Sequence, residues 1–199
     1  MLKIKVKVGK VTNLSDARYC AGMGVDLLGF PIGSHDGIDP KKYKEITDWV
    51  SVPGFVLEWT EAEIPNNFED ILQLYNAHFI QIDARQLQYI PPLKIPLIVI
   101  LKVTDWSTYH QLLKSNKGRI GYLIVMNPKN SLPDPLLIAP IASEFSVLLG
   151  FDISANNLGI LTSMPVVGIS LEGTEESTPG LKDYSHLSEI LERLELTEE

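Results

Sequence analysis

Short runs of β-branched residues, each followed by a helix-type pattern, recur along the whole chain. Eight runs can be counted, at Lys3–Val8, Leu27–Phe30, Phe55–Trp59, Phe79–Asp83, Leu97–Leu101, Tyr122–Val125, Val147–Leu149 and Val166–Leu171. Strands that alternate with helices indicate parallel βαβ units, because parallel strands need a long crossover connection. No linker interrupts the alternation, so the sequence predicts a small (β/α)8 TIM barrel that occupies residues 1–199 as a single domain. A doubly wound dinucleotide-binding sheet is disfavoured because no GxGxxG motif follows the first strand.

The connections between these strands differ in how strongly they predict a helix. Asn13 is placed to cap the first helix, and Asp39 followed by Pro40 is typical of the start of the second. The segment Gln86–Pro92 is short and bounded by prolines, and Lys129–Ala142 contains several prolines. We therefore expect one or two helices of the barrel to be short or missing.

Charge and cysteine content exclude several classes of protein. The chain has 17 Lys and Arg residues against 25 Asp and Glu residues, a net charge of −8, without a basic stripe. This balance argues against nucleic-acid binding and against an anionic membrane surface. The apolar run Ile95–Val103 is far shorter than the roughly 20 residues of a membrane-spanning helix. With one cysteine, Cys20, and no signal-peptide pattern, the sequence predicts a cytoplasmic protein.

The first strand predicts a charged barrel interior. If Ile4, Val6 and Val8 face the helices, then Lys5, Lys7 and Gly9 face inward, because side chains alternate along a strand. A buried ammonium is costly unless it is paired, so Lys7 should lie near a carboxylate or a bound anion, in a structural or a functional role. Active sites of this fold lie at the carboxyl ends of the strands. The residues found there are Gly9, Lys10, Glu58, Asp83, Lys102, Asn127, Asp152 and Glu172.

Segments at both ends of the chain resemble one enzyme family. The opening KVGKVTNLSDARYCAGMGVDLLGF is similar to the pattern K-[IV]-C-G-[IL]-T-N-x-x-D-A, helix, G-[AV]-D-x-[LI]-G-F of phosphoribosylanthranilate isomerases. Near the other end, VVGISLEGTEESTPGLKD resembles the family's G-V-D-V-S-S-G-V-E-x-x-P-G-x-K-D. LLGFDISANNL and FIQID are weaker matches that lie between them in the right order. The resemblance implies a TIM barrel that catalyses an Amadori rearrangement in tryptophan synthesis without a cofactor.

The chain departs from this family at the residues that carry its chemistry. The family's general base is the cysteine of K-[IV]-C-G, and the matching position here is Gly9, followed by Lys10 instead of glycine. The family's general acid is an aspartate at the end of the sixth strand, where the segment YLIVMN gives Val125. Neither the hydrogen that forms the side chain of glycine nor the isopropyl group of valine can donate or accept a proton. The resemblance therefore predicts a barrel without the family's catalytic pair.

The family's anion-binding elements are also altered. NPKNSLPDP replaces the phosphate-binding G-G-T-G, Asp36 falls near the expected substrate-carboxylate arginine, and Asp83 stands where the family has histidine. Gly150, Ser154 and Gly173 still follow the last two strands and could bind a phosphate through main-chain amides. The same glycines could instead serve tight turns.

Three functions stay open on this sequence. The first is a non-catalytic relative that binds a small phosphorylated metabolite or a protein partner of unknown kind. The second is an isomerase that uses other groups, with Lys7, Asp83 and Asp152 as the possible replacements. The third is a different enzyme built on the acidic strand ends, which requires Asp83, Asp152 and Glu172 to lie close together in one cavity. Glu58, Lys102 and Glu172 are the other strand-end candidates. The histidines lack metal-ligand spacing, and we expect no metal and no cofactor.

Overall fold

Eight parallel strands close into a barrel in the part of the chain that the structure describes. The structure, a computed structural model, describes residues 2–50, 54–129, 131, 134–151, 153–173, 176–178, 181–182 and 184–195. The strands are β1 (Lys5–Gly9), β2 (Leu27–Ile32), β3 (Gly54–Trp59), β4 (Phe79–Asp83), β5 (Leu97–Lys102), β6 (Ile120–Met126), β7 (Val147–Leu149) and β8 (Gly168–Glu172). Each strand pairs in parallel with the next, and β8 pairs with β1. The predicted (β/α)8 barrel is thereby confirmed.

Helices connect most consecutive strands. They are α1 (Leu14–Gly22), α2 (Pro40–Thr47), α3 (Phe68–Gln73), α4 (Trp106–Ser115), α5 (Pro135–Glu144), α6 (Leu158–Ser163) and α7 (Ser185–Leu194). A 3₁₀ helix at Ala84–Tyr89 connects β4 to β5, and β9 (Glu176–Thr178) and β10 (Leu181–Lys182) form a hairpin before α7. Among the residues that the structure describes, no helix has the length and apolar character needed to cross a membrane.

Local capping explains where several of these elements begin. The Asn13 side chain accepts a hydrogen bond from the Asp16 amide at 2.9 Å, and the Asp39 side chain accepts one from the Lys42 amide at 2.8 Å. Of the two weak connections, the first forms only the 3₁₀ helix, as expected. The second does form a helix, because Asp134 caps it and Pro135 takes its first position, where no amide donor is needed.

The apolar core consists of two clusters on opposite sides of the barrel wall. Val6 and Val8 are fully buried in the outer cluster, which lies between the strands and the helices, as the alternation along β1 predicts. The inner cluster consists of Leu27, Val56, Ile98, Ile124 and Leu148. It fills the interior through side chains of five strands.

Candidate functional site

A cavity of about 1000 Å³ opens at the carboxyl ends of the barrel strands. One side of it is polar and is lined by Lys7, Glu58, Gln81 and Ser170 from β1, β3, β4 and β8. The other side is apolar and is lined by Ile100, Ile124, Met126 and Phe151, from β5, β6 and the loop after β7. The cavity therefore fits a molecule with one hydrogen-bonding edge and one apolar edge.

A buried ion pair forms the polar floor of this cavity. Lys7 Nζ donates to Glu58 Oε1 at 2.5 Å, and the two side chains are 2% and 7% exposed. The second carboxylate oxygen, Oε2, accepts a hydrogen bond from the Lys10 amide at 2.9 Å. The expectation that Lys7 meets a carboxylate is confirmed. Both oxygens of Glu58 are thus held in place.

Two glycines make room for the Glu58 carboxylate. A Cβ added to Gly9 would lie 2.5 Å from Glu58 Oε1, and a Cβ added to Gly29 would lie 2.2 Å from the same oxygen. Real carbon and oxygen atoms do not approach this closely, so a side chain at either position would displace the carboxylate. The carboxylate of Glu58 therefore occupies the volume into which a side chain of residue 9 would project.

Lys10 links this floor to the rim of the cavity. Its φ is +57°, in the left-handed region that favours glycine, and its amide is the one that reaches Glu58. The Lys10 side chain extends to the surface, where Nζ donates to Glu172 Oε2 at 2.7 Å. The rim ion pair is exposed, so solvent screens it.

Gln81 is a buried polar side chain without a complete set of partners. The residue is 9% exposed, and its Oε1 has no hydrogen-bond partner among the described residues. Gln81 is the register partner of Glu58 across β3 and β4, and both line the cavity. A buried acceptor in this position is available to a molecule that enters the cavity.

No protein-family model and no curated protein matches the chain. Solved structures do match over almost its full length. A phosphoribosylanthranilate isomerase from Thermotoga maritima is 19% identical, with a TM-score of 0.73 over 96% of this chain and 98% of that one. The isomerase from Pyrococcus furiosus is 16% identical, with a TM-score of 0.69 over 96% of this chain and 98% of that one. The chain has the fold of the phosphoribosylanthranilate isomerases.

Another protein with this fold carries a different name. KGPDC from Streptococcus mutans is 16% identical to the chain, with a TM-score of 0.62 over 98% of this chain and 99% of that one. At this level of identity a structural match establishes the fold, and a function has to be argued from the site itself.

Val125, which the resemblance matches to the family's general acid, does not face the cavity. Val125 is fully buried in the outer cluster, and its carbonyl accepts a hydrogen bond from the Gly150 amide at 3.0 Å. The neighbouring residues Ile124 and Met126 face the cavity instead. Because side chains alternate along a strand, a shift of one residue moves a position to the opposite face. The side chains that β6 presents to the cavity, Ile124 and Met126, are both apolar.

The strand-end carboxylates do not all meet in the main cavity. Glu58 and Glu172 line it, whereas Asp83 lines a second pocket together with Arg85. Asp83 caps the 3₁₀ helix and accepts hydrogen bonds from Arg85 Nε at 2.7 Å and from the Arg85 amide at 2.9 Å. Lys102 is exposed at the end of β5. Asp152 lies outside the described residues.

The environment of Asp83 explains its acidity. Burial by itself would raise the pKa of this carboxyl. The hydrogen bonds from Arg85, with the charges of Arg85 and Lys102, outweigh burial and hold the pKa below its usual value of 3.8. Asp83 is therefore ionised at neutral pH and acts as a helix cap in an ion pair.

The three residues proposed for phosphate binding have amides with partners inside the chain. The Gly150 amide donates to the Val125 carbonyl, the Gly173 amide to the Gly9 carbonyl at 2.8 Å, and the Ser154 amide to Asn157 Oδ1 at 2.9 Å. Gly150 and Gly173 do line the cavity. A phosphate there would have to share or displace these hydrogen bonds.

The sequence contained signals for the polar floor that the strand-end argument did not use. Gln81 lies two residues before Asp83 on β4. Because side chains alternate between the two faces of a strand, Gln81 is expected on the same face as Asp83. Ser170 stands in the same relation to Glu172 on β8. Within the described residues, no group of three His, Cys, Asp or Glu side chains could hold a metal ion.

Proposed function

We propose that this protein is a relative of the phosphoribosylanthranilate isomerases that binds a small polar metabolite in the barrel mouth and does not run their isomerisation by the usual acid–base pair. One observation carries the proposal. The Glu58 carboxylate, neutralised by Lys7, fills the volume next to Gly9 where the resemblance expects a thiol, while a cavity of about 1000 Å³ stays open above it.

The missing proton carriers support the non-catalytic part of the proposal. An acid and a base each contribute about 10²–10⁴-fold to a proton-transfer reaction, so loss of both removes most of the rate. The cavity face of β6 offers Ile124 and Met126, neither of which transfers a proton. Asp36 lines the cavity where the resemblance expects an arginine for the substrate carboxylate, and its charge repels an anthranilate.

The binding part is supported by the shape and the chemistry of the cavity. Its polar and apolar sides suit a metabolite that carries hydroxyl groups. We include a phosphorylated sugar in the proposal, with Lys10 as a cation at the rim that could turn from Glu172 to a phosphate. A cytoplasmic location is part of the same proposal and is supported by the buried thiol of Cys20.

Two measurements test this proposal. Purified protein is assayed with phosphoribosylanthranilate, and the expected result is no turnover above background. Titration calorimetry with ribose 5-phosphate, ribose and inorganic phosphate is expected to show binding of the sugar phosphate. Isomerisation at ordinary enzymatic rates would contradict the non-catalytic part, and absence of heat with every sugar would contradict the binding part.

The position of Glu58 favours a second candidate function. An isomerase could use this carboxylate as its base, since Glu58 stands over Gly9 with its orientation fixed by Lys7 and the Lys10 amide. The same assay with phosphoribosylanthranilate separates the two candidates. If turnover is seen, it should be lost in Glu58→Gln and kept in Asp83→Asn, because Asp83 lies in the second pocket.

A further inference from the structure

The side-chain oxygen of Gln81 is a buried acceptor whose hydrogen bond is not made by the residues that the structure describes. Gln81 Oε1 is buried without a hydrogen-bond partner in the part of the chain that the structure describes. A buried acceptor without a donor costs free energy, and native structures seldom carry one without a reason. Because Gln81 lines the cavity, a bound molecule could supply the missing donor.

The groups next to Gln81 restrict what that molecule can carry. Glu58, its register partner on β3, is a carboxylate, and the ammonium of Lys7 is already bound to it at 2.5 Å. At the deep end of the cavity, Glu58 and Gln81 therefore present acceptors, and the charge of Lys7 is neutralised by Glu58. An anionic group placed there would face the Glu58 carboxylate without a net positive charge to offset it, whereas a hydroxyl or an amine would donate to the Glu58 and Gln81 oxygens.

Resting on the proposed function, we propose that Gln81 and the Lys7–Glu58 pair form a specificity floor that binds an uncharged or cationic hydrogen-bond donor, a hydroxyl or an amine, and rejects an anion. An anionic group on the same ligand lies at the rim, near Lys10. The floor therefore selects the orientation of the ligand as well as its class.

The first experiment compares two buried glutamines. Gln86 accepts from the Asp83 amide and donates to the Glu61 and Ala62 carbonyls, so its hydrogen bonds are made within the chain. Without ligand, Gln81→Leu should raise the Tm by about 2–4 °C because an unpaired polar group is removed. Gln86→Leu should lower it by about 4 °C or more because its partners lose their bonds. A fall of similar size in both variants would assign Gln81 a structural role and overturn the inference.

The second experiment measures the choice of ligand by titration calorimetry. Ribitol and ribarate share a carbon skeleton and differ at both termini, which are hydroxyls in ribitol and carboxylates in ribarate, so ribarate cannot turn a hydroxyl terminus toward the floor. Wild-type protein should bind ribitol roughly tenfold or more tightly than ribarate. Gln81→Leu should weaken ribitol binding by roughly tenfold, and Gln86→Leu should leave it unchanged.

The outcomes separate this inference from the proposed function. If ribarate binds as tightly as ribitol, or Gln81→Leu binds ribitol like the wild type, the specificity floor is refuted. If ribose 5-phosphate binds and ribitol does not, the floor is refuted while metabolite binding stands. If no binding is seen with ribitol, with ribarate or with ribose 5-phosphate, the specificity floor and the proposed metabolite binding are both refuted.

Discussion

Removing the positive charge of Lys7 is expected to destabilise the protein strongly. In Lys7→Met the Glu58 carboxylate, 7% exposed, stays buried with its counter-charge gone. Breaking a buried pair by deleting one partner costs about 3–5 kcal/mol, because the remaining charge cannot be solvated. For a chain of this length, each kcal/mol shifts the Tm by about 2–4 °C, so the Tm should fall by about 6–20 °C.

A matched control lies two residues away on the same strand. Lys5 contacts Asp26 at 3.3 Å, but these side chains are 35% and 34% exposed. Solvent screens such a pair, and Lys5→Met should cost about 1 kcal/mol or less. The contrast between the two lysines isolates the effect of burial, since both side chains alternate to the same side of β1.

The assays are thermal unfolding and urea unfolding at pH 7, each followed by circular dichroism. The double variant Lys7→Met/Glu58→Gln should recover most of the stability lost in Lys7→Met, because the unpaired charge is then absent. Two results would refute the reasoning. One is a Lys7→Met protein as stable as Lys5→Met. The other is a double variant whose loss in free energy of unfolding equals the summed losses of Lys7→Met and Glu58→Gln.

Three further predictions concern single residues. Lys10→Gly should raise the free energy of unfolding by about 0.5–1 kcal/mol in urea titration, because φ at this residue is +57° and glycine adopts it without strain. Gly29→Ala should lower it by about 1–3 kcal/mol in the same titration, since the new Cβ would lie 2.2 Å from Glu58 Oε1. Asp83 has a lowered pKa in its contact with Arg85, so its stabilising effect is present at neutral pH and is lost as the pH falls below 3.8. The stability difference between wild type and Asp83→Asn, measured by urea unfolding across pH, should therefore shrink on acidification, and a difference that grows would contradict the assigned environment.

The architecture could be predicted because it rests on local signals. Alternating strand and helix patterns, with caps at Asn13 and Asp39, depend on neighbouring residues alone, and the structure forms both caps. The 3₁₀ helix at Ala84–Tyr89 was anticipated as a short connection. The helix α5 was harder to predict because its sequence signals conflict. Asp134 and Pro135 favour the start of a helix, whereas Pro140 within the segment disfavours its continuation.

The candidate site was only partly predictable, for three physical reasons. The contact between Lys7 and Glu58 joins residues 51 positions apart, so its partner could not be read from either segment. The face of a residue depends on its exact position in the strand, and on β6 a single position separates Val125 in the outer cluster from Ile124 and Met126, which line the cavity. Asp83 illustrates a third limit, since a strand-end carboxylate serves equally well as a helix cap.

The shared space above Gly9 has an evolutionary consequence. A mutation that introduces cysteine at Gly9 adds a Cβ 2.5 Å from an oxygen of Glu58 and drives that oxygen away from Lys7. A single substitution that brings a thiol to this position would thus be penalised in stability before it could provide any activity. Residues 9 and 58 must change together, so a thiol at position 9 is hard to acquire by single mutations.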